Sequence, residues 1–397
     1  MKERLLFISS YVPYPPIGGA YQRTYNLLRR AALDYDVYFV GFEKDNSDRM
    51  NIGILKEFCK DAISYRLPED WSQLSLIFKL IFNIFSIRPF TVTKYYKKRI
   101  VMDLQRFIRQ TNISILHIDM IDLADYLNDF MAAKNILTHH NVESQLYRRT
   151  AQYSQNPLKK IFWYIQYLKM RRYEKKMCTR FTQNACVSEI DRMTFSHIAP
   201  NALFHIVPNG VDIDYFHNNS KVVSKKDIIF IGSLDWPANL DAIEFYRSSI
   251  WPEIKRLNVD ITLKVIGKTR DNRKLPEITG SGIEYLGFVK DIRPYVWSSL
   301  AFIVPLRIGG GTRLKILDAM AMGIPVISTS IGCEGIEVSN RHNIIIADTA
   351  KDFAIEIRRI SEDAALRKQL SQQGRSLVES RYSWETIYGE LRMLYQS

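Results

Sequence analysis

The residues with the clearest chemical meaning fall in one stretch, Pro305–Ile327, which reads PLRIGGGTRLKILDAMAMGIPVI. Gly309, Gly310 and Gly311 follow the strand-like run Ala301–Pro305. Thr312, Arg313 and Lys315 then open a segment of helical apolar periodicity that ends at Gly323. A glycine loop feeding a helix start leaves backbone N–H groups at the positive end of the helix dipole. Such a place binds anions, and phosphate is the usual one. Arg313 and Lys315 add two cations on the expected first turn. Positive charge there opposes the dipole, so something negative should sit opposite. Asp318, one to two turns on, can accept hydrogen bonds from ribose hydroxyls. A glycine turn with solvated basic residues is the plainer alternative, but loop, cations and carboxylate coincide here.

The elements that must position this loop can be read from the chain as a whole. A length of 397 residues exceeds one ordinary core and implies two domains. An apolar fraction of 46% with 12% aromatics suits a packed globular protein. A net charge of +13 favours a phosphate-rich partner: nucleotide, nucleic acid or anionic membrane. Cys59, Cys178, Cys186 and Cys333 are scattered, with no CxxC pair, which suggests neither a zinc site nor a disulfide framework. A reducing cytoplasm fits that usage. The N-terminal MKERLLFISSYVPYPP reads as a first strand, not a signal peptide. No apolar run reaches the roughly 20 residues of a membrane span.

In the first half, strands are expected at Leu5–Ser9, Asp36–Phe42, Ile113–Ile118, Asn135–Thr138, Asn184–Val187 and Leu203–Val207, with a helix over Ala20–Leu33. In the second half, the expected strands are Asp227–Ile231, Ile261–Ile266, Ile283–Tyr285, Leu300–Val304, Val326–Ser328 and Asn343–Ala347. Helices are expected at Leu240–Leu257, with Asn239 as N-cap, and at Ile292–Ser298, Arg313–Met322 and Lys351–Asp363. Alternating strands and helices define an α/β class with parallel sheets. Gly232, Gly267 and Gly287 close strands, either as ordinary turns or to admit a ligand at the sheet's carboxyl edge. The Pro-Asn-Gly turn in VPNGVDIDYF, Val207–Phe216, is the best linker. Two doubly wound domains facing across a cleft follow, with Gly18–Gly19 on one wall and Gly309–Gly311 on the other.

Taken together, these features resemble the retaining GT-B fold glycosyltransferases, specifically glycosyltransferase family 4. The resemblance is carried by the PPIGG loop, VPNGVD, YLGFV at Tyr285–Val289, the glycine loop with LDAMAMGIPVI, and YSWETIYGEL at Tyr382–Leu391. It implies an N-terminal Rossmann-like acceptor-binding domain over 1–208, a C-terminal Rossmann-like nucleotide-sugar-binding domain over 209–380, and a C-terminal helix over 381–397 returning to the first domain. It implies sugar transfer from a nucleotide-sugar donor with retention, no metal and no cofactor. The usual family signature is Glu, seven residues, then Glu; these positions hold Gly310 and Asp318 here. The Arg and Lys that many relatives use to hold the diphosphate are absent from Gly232–Trp236, GSLDW, so Arg313 and Lys315 are expected to have taken over that task. Donor contacts are expected at Gly18, Gly19, Ser233, Phe288, Val289, Gly309, Gly310, Gly311, Thr312 and Asp318.

The resemblance also implies a histidine at a strand end, over the donor sugar. In ILTHHNVES, His140 fits that place better than His139, with a turn histidine capping the next helix as the alternative. His140, Arg313 and Lys315 are thus the expected catalytic residues. In the front-face mechanism the family suggests, the departing phosphate oxygen takes the acceptor's proton, so no glycosidase-like carboxylate pair is needed. Glu143 and Glu174 are candidate site carboxylates, with a solvated or capping role as the favoured reading of each.

Two segments bear on the acceptor. Leu74–Ile87, LSLIFKLIFNIFSI, is apolar and followed by Lys94, Lys97, Lys98 and Arg99; Lys159–Lys176 mixes aromatics with Lys and Arg. Such faces suit an anionic membrane surface, unless they pack into a core. The expected partners are a nucleotide-sugar donor, a glycan or lipid-linked acceptor of surface polysaccharide synthesis, and an anionic membrane surface. No nucleic-acid module is recognisable. The expected location is the cytoplasm, with scope for a peripheral position on the membrane's inner face. A GT-B epimerase acting on the same donors and an inactive nucleotide-sugar-binding partner protein are the competing readings.

Overall fold

The structure, a computed structural model, describes residues 2–66, 73–129, 134–154, 156–217, 219, 224, 226–269, 282–308 and 312–397. The chain divides into two compact units, Met1–Pro208 with Ile387–Ser397, and Asn209–Thr386.

The first unit is built on a seven-stranded sheet. Its strands are β1 (Arg4–Ile8), β2 (Asp36–Glu43), β3 (Asp61–Arg66), β4 (Ile115–Ile118), β5 (Lys134–His139), β6 (Gln183–Cys186) and β7 (Phe204–Ile206). They run parallel in the order β3-β2-β1-β4-β5-β6-β7. Leu5, Leu6, Phe7 and Ile8 are fully buried, as a strand covered on both faces requires. The order reverses between β1 and β4, which makes their carboxyl ends the ligand-binding switch point of this sheet.

The second unit has a six-stranded parallel sheet in the order β10-β9-β8-β11-β12-β13. These strands are β8 (Asp227–Ile231), β9 (Thr262–Ile266), β10 (Ile283–Gly287), β11 (Ala301–Val304), β12 (Val326–Ser328) and β13 (Ile345–Ile346). The switch point lies between β8 and β11, where GSLDW leaves the sheet. Both sheets have the Rossmann-like order.

The last helix, Trp384–Gln396, belongs to the first unit from Ile387 onward. Within that unit Tyr395 Oη lies 2.5 Å from His117 Nδ1, Lys134 Nζ donates to Tyr395 O at 2.9 Å, and Tyr388 Oη donates to Asp34 at 2.7 Å.

Three differences from the sequence reading have local causes. Strand β3 has no counterpart among the expected strands. It lies at a sheet edge, so only Ala62 of DAISYR is buried and the apolar signal is weak. The helix expected over Leu240–Leu257 is broken into Pro237–Phe245, a π-turn at Tyr246–Ile250, and Trp251–Arg256. Pro252 cannot donate to the helical ladder, and a π-turn just before it absorbs the mismatch. Asn239 is not the N-cap, because the helix begins earlier, at Pro237 after Trp236. All four cysteines are free and buried.

Candidate active site

In the second unit the helix after β11 runs Leu314–Ala321, and Arg313 is its N-cap rather than a first-turn residue. Gly309, Gly310 and Gly311 lie outside the described residues. Lys315, one residue into the helix, is mostly buried. Its Nζ donates to Asn239 Oδ1 at 3.1 Å and stands 4.6 Å from the centre of the Phe230 ring. Burial, with the neighbouring Arg313 charge, pushes this ammonium down to about 7. An anion placed beside this lysine would restore its charge.

Asp318 has the opposite problem. It is buried, and its Oδ1 has no hydrogen-bond partner. Burial, then repulsion from Asp212, pushes its carboxyl up to about 8. A buried polar oxygen without a partner carries a desolvation penalty that a ligand hydroxyl would relieve. The Thr312 hydroxyl oxygen is likewise buried and without a partner. Cation, carboxyl and hydroxyl thus share one helix start at the switch point.

Other residues expected to contact the donor follow the carboxyl ends of β8 and β10, which flank β9. Ser233 follows β8, and its Oγ donates to Lys268 O at 3.4 Å. Phe288 follows β10 and is 57% exposed. Lys268 Nζ lies 4.5 Å from that ring's centre. Val289 is half-buried. Lys268 escaped the sequence reading because only the strand order β10-β9-β8 brings it beside Phe288 and Ser233. Asn239 escaped as a site residue too; its Nδ2 donates to Ser233 O at 2.8 Å while its Oδ1 receives Lys315. It therefore ties the β8 loop to the Leu314–Ala321 helix. Of the strand-closing glycines, Gly267 serves packing. A Cβ there would lie 2.0 Å from the backbone oxygen of Gly232. Gly287 has φ 71° and open space around it, so a backbone requirement alone explains the glycine.

The first unit presents a second cluster at the ends of β1, β4 and β5. His140 follows β5, and its Nε2 lies 3.2 Å from Asp119 Oδ1, just past β4. Asp119 is fully buried and also accepts from Thr24 Oγ1 at 2.5 Å and Ser9 Oγ at 3.4 Å. Burial alone would raise its carboxyl, but the His140 charge and hydrogen bond, with His117 and Thr24, hold it below the ordinary value. Asp119 escaped the sequence reading; its position after the apolar run Ile115–Ile118 is the available signal. His139, by contrast, is a core residue. It is 1% exposed, bonded to Asn184 Oδ1 at 3.1 Å, and held neutral by burial, with its value down to about 4.

Gly18 is the N-cap of the helix Gly19–Asp34 at φ 99°, a conformation that favours glycine, and Gly19 opens that helix exposed. Four residues on, Arg23 is fully buried and donates to Val207 O at 2.8 Å and Pro208 O at 2.5 Å. It fixes the segment at which the first unit ends. Glu143 is half-buried, and Glu174 takes the capping role. Glu174 is fully buried and accepts the Ser144 N–H at 3.0 Å, capping the helix Glu143–Tyr153 from a neighbouring helix. Burial pushes Glu174 up to about 7; burial with Asp122 and Glu174 pushes Glu143 up to about 8. Among the described residues, no group of three or more His, Cys, Asp or Glu side chains could hold a metal ion.

Comparisons with known proteins bear on the fold and on the reaction class. Residues 225–363 match the family described as Glycosyl transferases group 1. The chain is 22% identical to an uncharacterized 44.6 kDa protein in the cps region of Klebsiella pneumoniae, covering 98% of both chains. Among solved structures it is similar to sucrose-phosphate synthase from Thermosynechococcus elongatus, with TM-score 0.72, 16% identity, and coverage of 100% of this chain and 98% of that one. It is also similar to HepE from Anabaena in complex with UDP, with TM-score 0.71, 13% identity and full coverage of both chains. The family match covers residues 225–363, and the fold is that of the GT-B structures.

Proposed function

We propose that this glycosyltransferase takes a sugar from a nucleoside diphosphate donor and transfers it, with retention, to a glycan or lipid-linked acceptor of a surface polysaccharide. The observation that carries this reading is the pairing of Lys315 and Asp318 at the switch point. One is a buried cation with a depressed ammonium, the other a buried carboxyl with an unpaired oxygen. A diphosphate against Arg313 and Lys315, with ribose hydroxyls on Asp318, relieves both. The polysaccharide assignment is supported by the relative from a cps region, and UDP by its presence in the HepE complex.

Cleavage of the bond between the anomeric carbon and the phosphate oxygen leaves negative charge on the diphosphate. Arg313 and Lys315 are set to stabilise that charge without reorganisation. The acceptor oxygen bonds to the anomeric carbon, and its proton passes to the departing phosphate oxygen. In this reading His140, oriented by Asp119, donates to or accepts from a sugar hydroxyl, and no metal ion enters the step.

The test is nucleoside diphosphate release from a panel of donor sugars, with and without acceptor glycans, and anomeric analysis of the product. Acceptor-dependent release with retained configuration is expected. Release of an altered free sugar without acceptor would establish the epimerase instead, and no turnover with any donor would favour an inactive binding protein.

A further inference from the structure

The first unit carries an apolar surface that its own fold does not cover. On the helix Gln73–Ile84 and the turn after it, Phe78, Ile81, Phe82 and Phe85 recur at helical spacing, and all are exposed. Phe82 is 71% and Phe85 85% exposed, and Ile87 beyond them is 93% exposed. The orientation is fixed from behind. Asn83 is buried, receives Gln166 Nε2 on its Oδ1 at 2.9 Å, and accepts Lys169 Nζ on its backbone oxygen. Both partners lie on the helix Pro157–Cys178, which exposes an apolar row of its own at Leu158, Ile161, Tyr164 and Leu168.

The charge within these two segments of the chain is nearly all of one sign, and Arg88 is paired with Asp125 at 2.8 Å. Residues 73–118 contain eight Lys and Arg against one acidic residue, Asp103. Residues 157–180 contain eight against Glu174 alone, and Glu174 is buried. The excess is comparable with the net +13 of the whole chain, so it is concentrated in the two segments that carry the apolar rows. Lys98, Arg99, Lys159 and Lys160 are exposed. Lys97 is pushed below its ordinary value by burial and by Lys79 beside it, which shows cations crowded together near the Gln73–Ile84 helix.

An apolar row a few side chains deep, bordered by cations, matches the boundary between acyl chains and anionic headgroups. A protein partner would need a complementary acidic surface with matching apolar relief, whereas a lipid surface supplies both without specific shape. The helix Gln73–Ile84 has 12 residues, about 18 Å long, against the roughly 30 Å of a bilayer core. Among the described residues no helix is long and apolar enough to cross a membrane. We infer that the face formed by Phe78, Ile81, Phe82, Phe85 and Ile87, with the exposed row of Pro157–Cys178, docks on an anionic lipid surface and lies in its interface.

The test uses the full chain with vesicles of phosphatidylcholine alone and vesicles that also contain phosphatidylglycerol. Wild type should co-sediment only with the second and release as salt is raised. Phe82→Ser with Phe85→Ser should weaken that binding by at least about tenfold, the order expected for two inserted rings. Melting temperature and nucleoside diphosphate binding should stay unchanged. Because both rings are exposed, unfolding of this variant would overturn the placement. A Phe85→Trp variant should show a blue-shifted indole emission on anionic vesicles and none on neutral ones. Indifference of wild type to anionic vesicles, an unshifted emission from the Phe85→Trp variant, or a change of oligomeric state in the serine variant would each overturn the inference. The last would assign the face to a second copy of the chain. Donor binding is read separately, so a failure here is distinct from a failure of the proposed reaction.

Discussion

Replacing Lys315 by methionine should stabilise the protein and abolish donor binding. The ammonium of Lys315 falls from 10.5 to about 7 in the folded chain. At about 1.4 kcal/mol per pH unit, the charged form is disfavoured by up to roughly 5 kcal/mol. Partial exposure reduces this. Methionine also leaves Asn239 Oδ1 without its 3.1 Å donor, at a cost of about 1–2 kcal/mol. A net gain of about 2 kcal/mol at pH 7 remains, or about 4–8 °C in Tm for a unit of this size. The sign with pH is fixed by the depressed value. Below about 7 the lysine is charged in both states and carries its full penalty. Between about 7 and 10.5 only the unfolded state holds the proton, so wild type gains stability as pH rises and the advantage of methionine shrinks. Differential scanning calorimetry from pH 6 to 10 reads this directly. Calorimetric titration with nucleoside diphosphate at pH 8, in buffers of different ionisation enthalpy, reads the other half. Binding to wild type should draw a proton onto Lys315, and the methionine variant should neither take it up nor bind measurably. A Lys315→Met protein that melts lower at pH 7, or binds nucleotide as wild type does, would refute the reasoning.

Further expectations concern the two units separately. Arg313→Ala should lower kcat/KM by a factor corresponding to about 3 kcal/mol, as for other preorganised groups that stabilise developing charge, with little change in melting temperature. Asp119→Asn removes the charge facing His140 Nε2 at 3.2 Å and should lower kcat by about tenfold to a hundredfold while KM for the donor changes less; steady-state kinetics check it. Glu174→Gln keeps an acceptor for the Ser144 N–H, and the raised carboxyl gives the sign. The wild-type contribution is full below about 4.5 and is lost as pH rises through about 7, so the variant should melt alike at pH 5 and be more stable by about 2 kcal/mol at pH 8. Activity should survive exhaustive chelation; loss of turnover restored by magnesium or manganese would reject a metal-free step.

What could be read from the sequence was local. Pro305–Asp318 announced itself because loop, cations and carboxylate are contiguous, and strands such as Asp227–Ile231 and Val326–Ser328 are short apolar runs bounded by turns. Features that depend on strand order were hidden. Asp119 meets His140 only because β4 and β5 are neighbours, and Lys268 reaches Phe288 only because β9 lies beside β10. Adjacent histidines could be ranked but not placed; the end of β5 at His139 is what buries one and leaves the other beside Asp119. Depth was legible only in part. Glu174 lies in a basic run and is fully buried, and Leu74–Ile87, read as either a membrane face or core, exposes Phe82 and Phe85. Hydrophobic content says that a side chain prefers to leave water, not which surface it will leave water against.

The central claim is that a donor diphosphate sits at the start of Leu314–Ala321 with its ribose on Asp318. A crystal structure of the protein with a bound nucleoside diphosphate tests it most directly. The account predicts phosphate oxygens within hydrogen-bonding distance of Lys315 Nζ and the Arg313 guanidinium, and ribose hydroxyls on the Asp318 carboxyl. A nucleotide bound elsewhere, with Lys315 still held only by Asn239 and Asp318 Oδ1 still unpaired, would contradict it.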